Sequence, residues 1–449
     1  MNIQILVLIL AIALFGVLAF KQVSALILAP LVTLFVAICS GLPLLDSLQN
    51  SFMPAAADYV SQYFLIFFVG ALFGAVYQYT GAAESIAITL GKACRGRFVA
   101  PIIMCITGLL TFGGVSGFVV FFVIYPIALQ LFKEANLSRR LIPAAISAGC
   151  WTWSMSAPGS PSVQNVIAMK NLGTSSTAAF VPSLLTAIVM FLLIFIWLEY
   201  RSRALTKKGY EFIDPTLKYQ LSEEELHECE SKDLPNFWIT LLPIIVIIVT
   251  FNFPKSLATY FHIDSIFPFE VETAVMTGVI LACILMFRYI KGGLNAWIEV
   301  FNKGASDSGV AILNTAIVVG FGGVVQNTQG FSDLVTSLKG MEMPTLVFVM
   351  VTVAICAGAC GSASGGMGVA FNALKDTYIQ MGAPLPYVHR IATIASGTLD
   401  TLPHQGAQIT LLGICKMTHK EAYWDIAVTQ IIIPFISCGV FILLATLGL

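Results

Sequence analysis

Two kinds of polar cluster interrupt the apolar runs of this chain, and both have the chemistry to hold a small anion. The first combines glycine with serine, in Gly113-Gly114-Val115-Ser116-Gly117 and again in Gly361-Ser362-Ala363-Ser364-Gly365-Gly366. Glycine lets backbone come close to a ligand, serine hydroxyls donate hydrogen bonds, and the N–H groups of a helix start favour negative charge. The second is a stretch that cannot stay helical: Ser154 to Asn165 carries Pro158, Gly159 and Pro161, and Ser396 to Thr410 carries Gly397, Pro403 and Gly406. Unwound backbone at membrane depth offers carbonyls and amides to a substrate and its coupling ion. The candidate substrate-binding residues are therefore Ser116, Gly117, Ser156, Ser160, Gln164 and Asn165, with Ser362, Ser364, Gly365, Gln405, Gln408 and Thr410. Asp400 and His404 are the ionisable pair within a broken stretch. Such groups are costly in lipid, and a buried Asp or a His can load and release a proton near neutral pH. The plainer reading makes Asp400 a helix cap, His404 a neutral donor, and the glycines close helix-packing positions.

Other charges, including Lys133, Glu134, Arg139, Arg140, Lys375, Asp376 and Arg390, fall near the ends of the apolar runs, where interface solvation accounts for them. Arg390 would alternatively add positive potential near an anionic substrate. Gly114-Val115-Ser116-Gly117 has the Gly-x-Ser-Gly form of rhomboid-type intramembrane proteases, but a nucleophile needs one serine near one base. A duplicated Ser-Gly suits two tips clasping a ligand better, so no catalytic residue is expected. The ten cysteines show no Cys-x-x-Cys spacing, and no metal ligand set is expected from them.

The elements that position these clusters must be membrane helices. Of 449 residues, 57% are hydrophobic and 10% charged, against about 25% charged in soluble domains; mean hydropathy is +0.88. The lipid bilayer is the solvent, and a net charge of -1 gives no reason to expect nucleic acid. At roughly 20 apolar residues per span, the chain has room for about 11–12 transmembrane helices in an all-α polytopic membrane protein. Ile3 to Phe20 lacks the basic start of a signal peptide and reads as a retained span. Ala82 to Lys92 and Phe331 to Lys339 read as amphipathic interface pieces. The expected layout is a first membrane half over 1–200, a cytoplasmic linker over 201–235 and a second half over 236–449. The linker opens with Arg201, Arg203, Lys207 and Lys208, which places it inside, and Ser222 to His227 reads as a capped polar helix.

Laid over itself so that Ser116 meets Ser364, the chain also brings Phe73, Gly74, Gln78 and Thr80 onto Phe321, Gly322, Gln326 and Thr328, and Gly113, Gly117 and Gly149 onto Gly361, Gly365 and Gly397. In the same register Ser156 meets His404, Ser160 meets Gln408 and Ser162 meets Thr410. Two repeats, each with a hairpin and a broken helix, meeting around a midplane site are a transporter architecture. With six apolar runs in each half, inversion of the repeats requires one run to be re-entrant or interfacial.

At these residues the sequence resembles the gluconate permease (GntP-type) family of the ion transporter superfamily, in layout over nearly the whole chain. Leu399-Asp400-Thr401-Leu402-Pro403-His404-Gln405-Gly406-Ala407 looks like the Leu-Asp-x-Leu-Pro-His-x-Gly-Ala form of members that handle 3-hydroxybutyrate or citrate-like acids. Gluconate-transporting members carry a Ser-His-x-Asn-Asp-Pro type segment instead. The resemblance implies proton-coupled uptake of a hydroxylated monocarboxylate such as gluconate or 3-hydroxybutyrate by a multi-pass protein of the cell inner membrane. It also implies inverted repeats with re-entrant hairpins, and a homodimer with a scaffold and a moving transport domain. No cofactor is expected beyond the coupling ion. Hydroxyls, amides and loop carbonyls would serve Na⁺ as well as H⁺, so the alternative is a sodium-coupled carrier of di- or tricarboxylates or short-chain acids.

Overall fold

Helices that are apolar on every face need lipid or protein on every side, and that requirement organises this chain. The computed structural model describes residues 3–20, 23–93, 98–115, 117–221, 234–252, 270–340, 343–403 and 405–448, and among them every regular element is helical. The first half begins with α1 (Ile3–Phe20) and α2 (Ala25–Cys39), the long α3 (Leu44–Tyr79) and the amphipathic α4 (Ala82–Ala93). A hairpin of α5 (Val99–Phe112) and α6 (Gly117–Glu134) follows. Then comes a broken helix of α7 (Ile142–Trp151), the single turn α8 (Trp153–Ser156) and α9 (Val163–Leu172), and finally α10 (Phe180–Lys207).

The second half repeats this order. It runs α11 (Phe237–Phe251), α12 (Val271–Met286), α13 (Gly293–Val325) and the amphipathic α14 (Gln329–Lys339). Its hairpin is α15 (Thr345–Cys360) with α16 (Ala363–Gln380), its broken helix α17 (Leu385–Leu399) with α18 (Gly406–Ile414), and its last helix α19 (His419–Thr446).

The packing is symmetric between halves. α3 and α13, 36 and 33 residues long, lie along each other, and at about 1.5 Å per residue each exceeds the ~30 Å hydrocarbon core. α2 packs on α13 as α12 packs on α3, and α1 packs on α14 as α11 packs on α4. Each short arm beyond a break crosses over: α9 sits on α16 and α17, while α18 sits on α6 and α7. α5 has 14 residues, about 21 Å of helix, too short to cross the core unaided. Lipid-facing side chains such as Leu192, Ile196 and Ile284 remain exposed.

The ungapped register expected of the repeats fails beyond Gly149 and Gly397. The first broken helix kinks at Thr152 and adds a turn to Ser156, whereas the second stops at Leu399. Gln408 therefore lies within α18, while Ser160 lies in the first loop. The positions that correspond are Ser162 and Gln405, the residues that start α9 and α18.

The basic run Arg201 to Lys207 belongs to α10 rather than to a loop. Beyond it, 209–221 is pinned to the membrane body. Arg139, expected at a solvated interface, is only 2% exposed and bonds the Phe212 and Tyr219 carbonyls. Arg140 pairs with Asp214 at 2.9 Å, and Glu421 accepts from the Lys218 amide at 2.8 Å. The capped helix expected over Ser222 to His227 lies outside the described residues.

Close helix approach predicts one contrast. A Cβ on Gly149 would run into Met104 and Thr107 of α5, whereas Gly413 on α18 has nothing near it. Gly149→Ala should lower thermal stability in detergent by about 1–3 kcal/mol, while Gly413→Ala should be neutral or slightly stabilising; equal melting temperatures would contradict the packing. The linker predicts another. Burial works to raise the Asp214 carboxyl, but hydrogen bonds from Thr216 and Arg140 and the guanidinium charge outweigh it and hold it below the usual carboxylate range. Because its folded value is the lower one, this latch is complete above about pH 4 and is lost as pH falls through the folded value. At one fixed pH below the folded value, pepsin should therefore cut 209–221 as readily in the unaltered protein as in Asp214→Asn, whereas at neutral pH trypsin should cut after Lys218 in Asp214→Asn and spare it in the unaltered protein.

Candidate functional site

The first break frees carbonyls where no water can reach them, so donors must come from the protein. Pro158, Gly159 at φ +79 and Pro161 end the helix, and Ser162 restarts it, its Oγ accepting from the Asn165 amide at 3.3 Å. The Asn165 side-chain nitrogen sits 3.2 Å from the Met155 carbonyl, 3.1 Å from that of Ser160 and 3.4 Å from that of Ala157. That places its Oδ1 toward α17, where Arg390 Nη1 donates to it at 2.9 Å and His389 Nε2 lies at 3.0 Å. With Nε2 facing an acceptor, His389 carries its proton there, and Nδ1 accepts from the Thr174 hydroxyl at 2.7 Å.

Arg390 completes this node. Nη1 also donates to the Ser156 carbonyl at 2.5 Å, and Nη2 donates to the carbonyls of Ser176 at 3.1 Å and Ala178 at 3.4 Å. The side chain is 0% exposed and its Nε has no partner among the described residues. Among the described residues the ion pairs join other groups, so Arg390 is a buried cation held by carbonyls alone. Interface solvation does not describe it: α17 carries it into the protein, against the first break. Asn252, the residue that ends α11, closes the loop from the far side, donating to the Gly159 carbonyl at 2.9 Å.

The second break has the opposite charge. Asp400 is 3% exposed; Thr401 Oγ1 donates to Oδ1 at 3.1 Å and Gln405 Nε2 to Oδ2 at 3.2 Å. Gln408 Nε2 donates to Gln430 Oε1 of α19 at 2.8 Å, and Gln430 Nε2 donates to Ser147 Oγ of α7 at 2.5 Å. The amide oxygens of Gln405 and Gln408 are buried without a partner among the described residues. The two breaks adjoin, since a Cβ on Gly397 would lie 2.6 Å from Met155 Cε and 3.3 Å from the Trp151 carbonyl.

The hairpin tips bracket this region. In the second, Gly361 at φ +55 turns the chain and Ser362 caps α16, accepting from the Gly365 amide at 3.2 Å, with Ser364 Oγ 3.5 Å away. Tyr59 of α3 lies beside Ser364, its hydroxyl buried and without hydrogen-bond geometry to any partner among the described residues. A small polar cleft opens there, lined by Asp58, Tyr59 and Gln62 of α3, Asn171 of α9 and Asn372 of α16. In the first tip, Gly114 at φ +91 makes the turn, and Gly117 opens α6 beneath the Trp151 indole, where a Cβ would come within 2.8 Å of Nε1.

The expected site residues thus fall into groups. Ser156, Ser160 and Asn165 share the Arg390 node; the Ser156 hydroxyl bonds back to the Thr152 carbonyl at 3.1 Å, and Asn165 is fully engaged in holding the loop. Gln164 is half-buried beside them. Asp400, Gln405 and Gln408 share the second node, and Ser362, Ser364 and Gly365 form one tip. Thr410 is exposed on α18, apart from the break. Ser116 and His404 lie outside the described residues. Sequence reasoning missed His389, Asn252, Thr401, Tyr59 and Gln430. A lone glutamine inside the apolar run of α19 was the available signal for the last of these.

The family model described as GntP family permease matches residues 1–447. The chain belongs to the GntP permease family. Curated relatives agree: a protein named "Uncharacterized transporter YxjC" from Bacillus subtilis (strain 168) is 32% identical over 459 residues, covering 95% of this chain and 96% of that one. An "Uncharacterized permease" of Haemophilus influenzae is 20% identical, covering 80% and 74%. The crystal structure of the Alcanivorax borkumensis YdaH transporter, described as having an unusual topology, superposes with a TM-score of 0.56 at 13% identity, covering 89% and 88%, and shares the fold. This GntP-family protein is a multi-pass membrane transporter.

The node predicts that Asn165→Ala destabilises the permease far more than Gln164→Ala. The first leaves several buried carbonyls short of donors, at about 1–3 kcal/mol for each lost partner. Melting curves in detergent check this, and indistinguishable curves would contradict it.

Proposed function

We propose that this permease is a proton-coupled symporter that takes up a small hydroxylated monocarboxylate, such as gluconate or 3-hydroxybutyrate, across the cell inner membrane, working as a homodimer. The observation that carries the reading is a pair of buried charges without ionic partners among the described residues, Arg390 beside one break and Asp400 in the other. A buried cation with only carbonyls around it makes the region attractive to an anion. A buried carboxylate without a cation favours taking up a proton. Protonated Asp400 becomes a donor, and the Gln405 amide, turned over, would accept that proton through the oxygen that now lacks a partner. Substrate carboxylate would bind at the hairpin tips, with the Ser364 and Ser362 hydroxyls and the first tip around Ser116 and Gly117 as donors.

Counting each hairpin as re-entrant, α1, α2, α3, the first broken helix and α10 cross the membrane, an odd number, and so do their counterparts. Odd halves are inverted halves, which fits alternating access around a shared site. The unpartnered oxygens of Gln405 and Gln408 favour one second reading, Na⁺ in place of H⁺ and a di- or tricarboxylate or short-chain acid as cargo.

Proteoliposomes loaded against imposed proton or sodium gradients test the proposal. Radiolabelled gluconate, 3-hydroxybutyrate, citrate and short-chain acids should show one class accumulating on a proton gradient. Asp400→Asn should abolish accumulation while leaving exchange of labelled for unlabelled substrate. Accumulation driven only by sodium, or unchanged in Asp400→Asn, would reject proton coupling at this residue.

A further inference from the structure

Thr401 has one hydroxyl proton and two acceptors for it, Asp400 Oδ1 at 3.1 Å and Gln430 Oε1 at 3.4 Å. Gln430 in turn holds Gln408 of α18 through the same oxygen and Ser147 of α7 through its nitrogen. Thr401, Gln408, Gln430 and Ser147 are all at most 1% exposed, so solvent does not offer these groups alternatives. Gln430 sits in a π-helical turn, Val428–Ile432, inside α19, a local widening that recurs at functional sites. The side chain thereby reaches from the last helix to both broken helices at once.

We propose that Thr401 and Gln430 form a relay that carries the protonation state of Asp400 to the first broken helix. The inference rests on Asp400 being the proton-loading group. With Asp400 ionised, the Thr401 hydroxyl is drawn to its carboxylate. When a proton from solvent arrives on Asp400, that oxygen accepts less strongly, and the Thr401 hydroxyl turns to Gln430 Oε1, keeping its own proton. Gln430 then receives a second strong donor beside Gln408, and its amide is pulled with respect to Ser147, which lies on the same helix as Trp151 above the first break. The one bond formed is the O–H on Asp400, its proton coming from solvent; otherwise one hydrogen bond is exchanged for another, which gives the element two discrete arrangements. Gln430 acts as a positioning residue, touching neither proton nor substrate.

Other titratable groups around the second break could produce their own pH responses. α19 contributes Tyr423, whose hydroxyl donates to the Thr401 carbonyl at 3.1 Å, and His419, 3.0 Å from the Pro403 carbonyl. Asp425, one turn before Gln430, is already paired with Arg201 of α10. α15 contributes the thiols of Cys356 and Cys360, and α7 that of Cys150, all buried. The variants must therefore separate Thr401 and Gln430 from these groups, not merely perturb the region.

The test is ¹⁹F NMR of the full-length protein with 5-fluorotryptophan, the Trp151 signal being assigned by Trp151→Phe and followed through a pH titration without substrate. The relay predicts a pH-dependent shift of the Trp151 signal that is lost in Asp400→Asn, in Thr401→Val and in Gln430→Leu, and retained in Thr401→Ser. Thr401→Val is nearly isosteric, so a folding defect is not expected to mask the outcome; the signal of Trp297 on α13, 2% exposed and stacked on Phe287, reports on folding in every variant. Loss in Asp400→Asn with retention in Thr401→Val and Gln430→Leu would overturn the relay and leave the proton site standing. Absence of the shift in the unaltered protein, or its retention in Asp400→Asn, would overturn the proton site and the relay with it.

Discussion

Everything near the centre of this protein depends on satisfying backbone that a broken helix leaves open in a dry environment. The Arg390 guanidinium, with Asn165, supplies donors to the carbonyls of Met155, Ser156, Ala157, Ser160, Ser176 and Ala178. Because Arg390 comes from the other half, the first half cannot complete its own break. α17 must lie against α9, and α16 follows it there. The crossed packing of the two repeats is thus required by hydrogen bonding as much as by apolar contact.

The repeats are alike in shape and opposite in charge. One helix, α17, carries both signs, with Arg390 early in it and Asp400 just past its end, about 15 Å apart along its axis. The first break receives a fixed cation and the second an ionisable acid. That difference is what the proposed symport of an anion with a proton would use, the permanent charge acting on the cargo and the variable charge on the coupling ion. Tyr59 joins the two features beside this helix, lining the polar cleft on α3 and lying next to Ser364 of the second hairpin tip.

The scale of the architecture was legible in the sequence because it rests on composition and on glycine. The spans, both hairpins, both breaks and the amphipathic α4 and α14 follow from hydropathy and from Pro158, Pro161, Pro403 and the Ser-Gly pairs. What was not legible is who supplies the donors. Arg390 looks like an interface charge when only its neighbours in sequence are considered, since burial against Ser156 arises from a contact made across the two halves. Thr410 was expected in the site through an ungapped repeat register. Thr152 kinks the first helix and lengthens it while Asp400 stops the second, so the register slips between Gly149 and Ser162. Gln430 and Asn252 are single polar residues whose role appears only when α19 and α11 are in place.

Hydrogen–deuterium exchange of the permease in proteoliposomes, with and without saturating organic anion, addresses the central claim most directly. If both unwound stretches and both hairpin tips surround one anion site, a transported acid will slow amide exchange in 157–162 and 400–405 together, with the tips at 113–117 and 361–365. Protection confined to one half, or to surfaces away from Arg390 and Asp400, would contradict it.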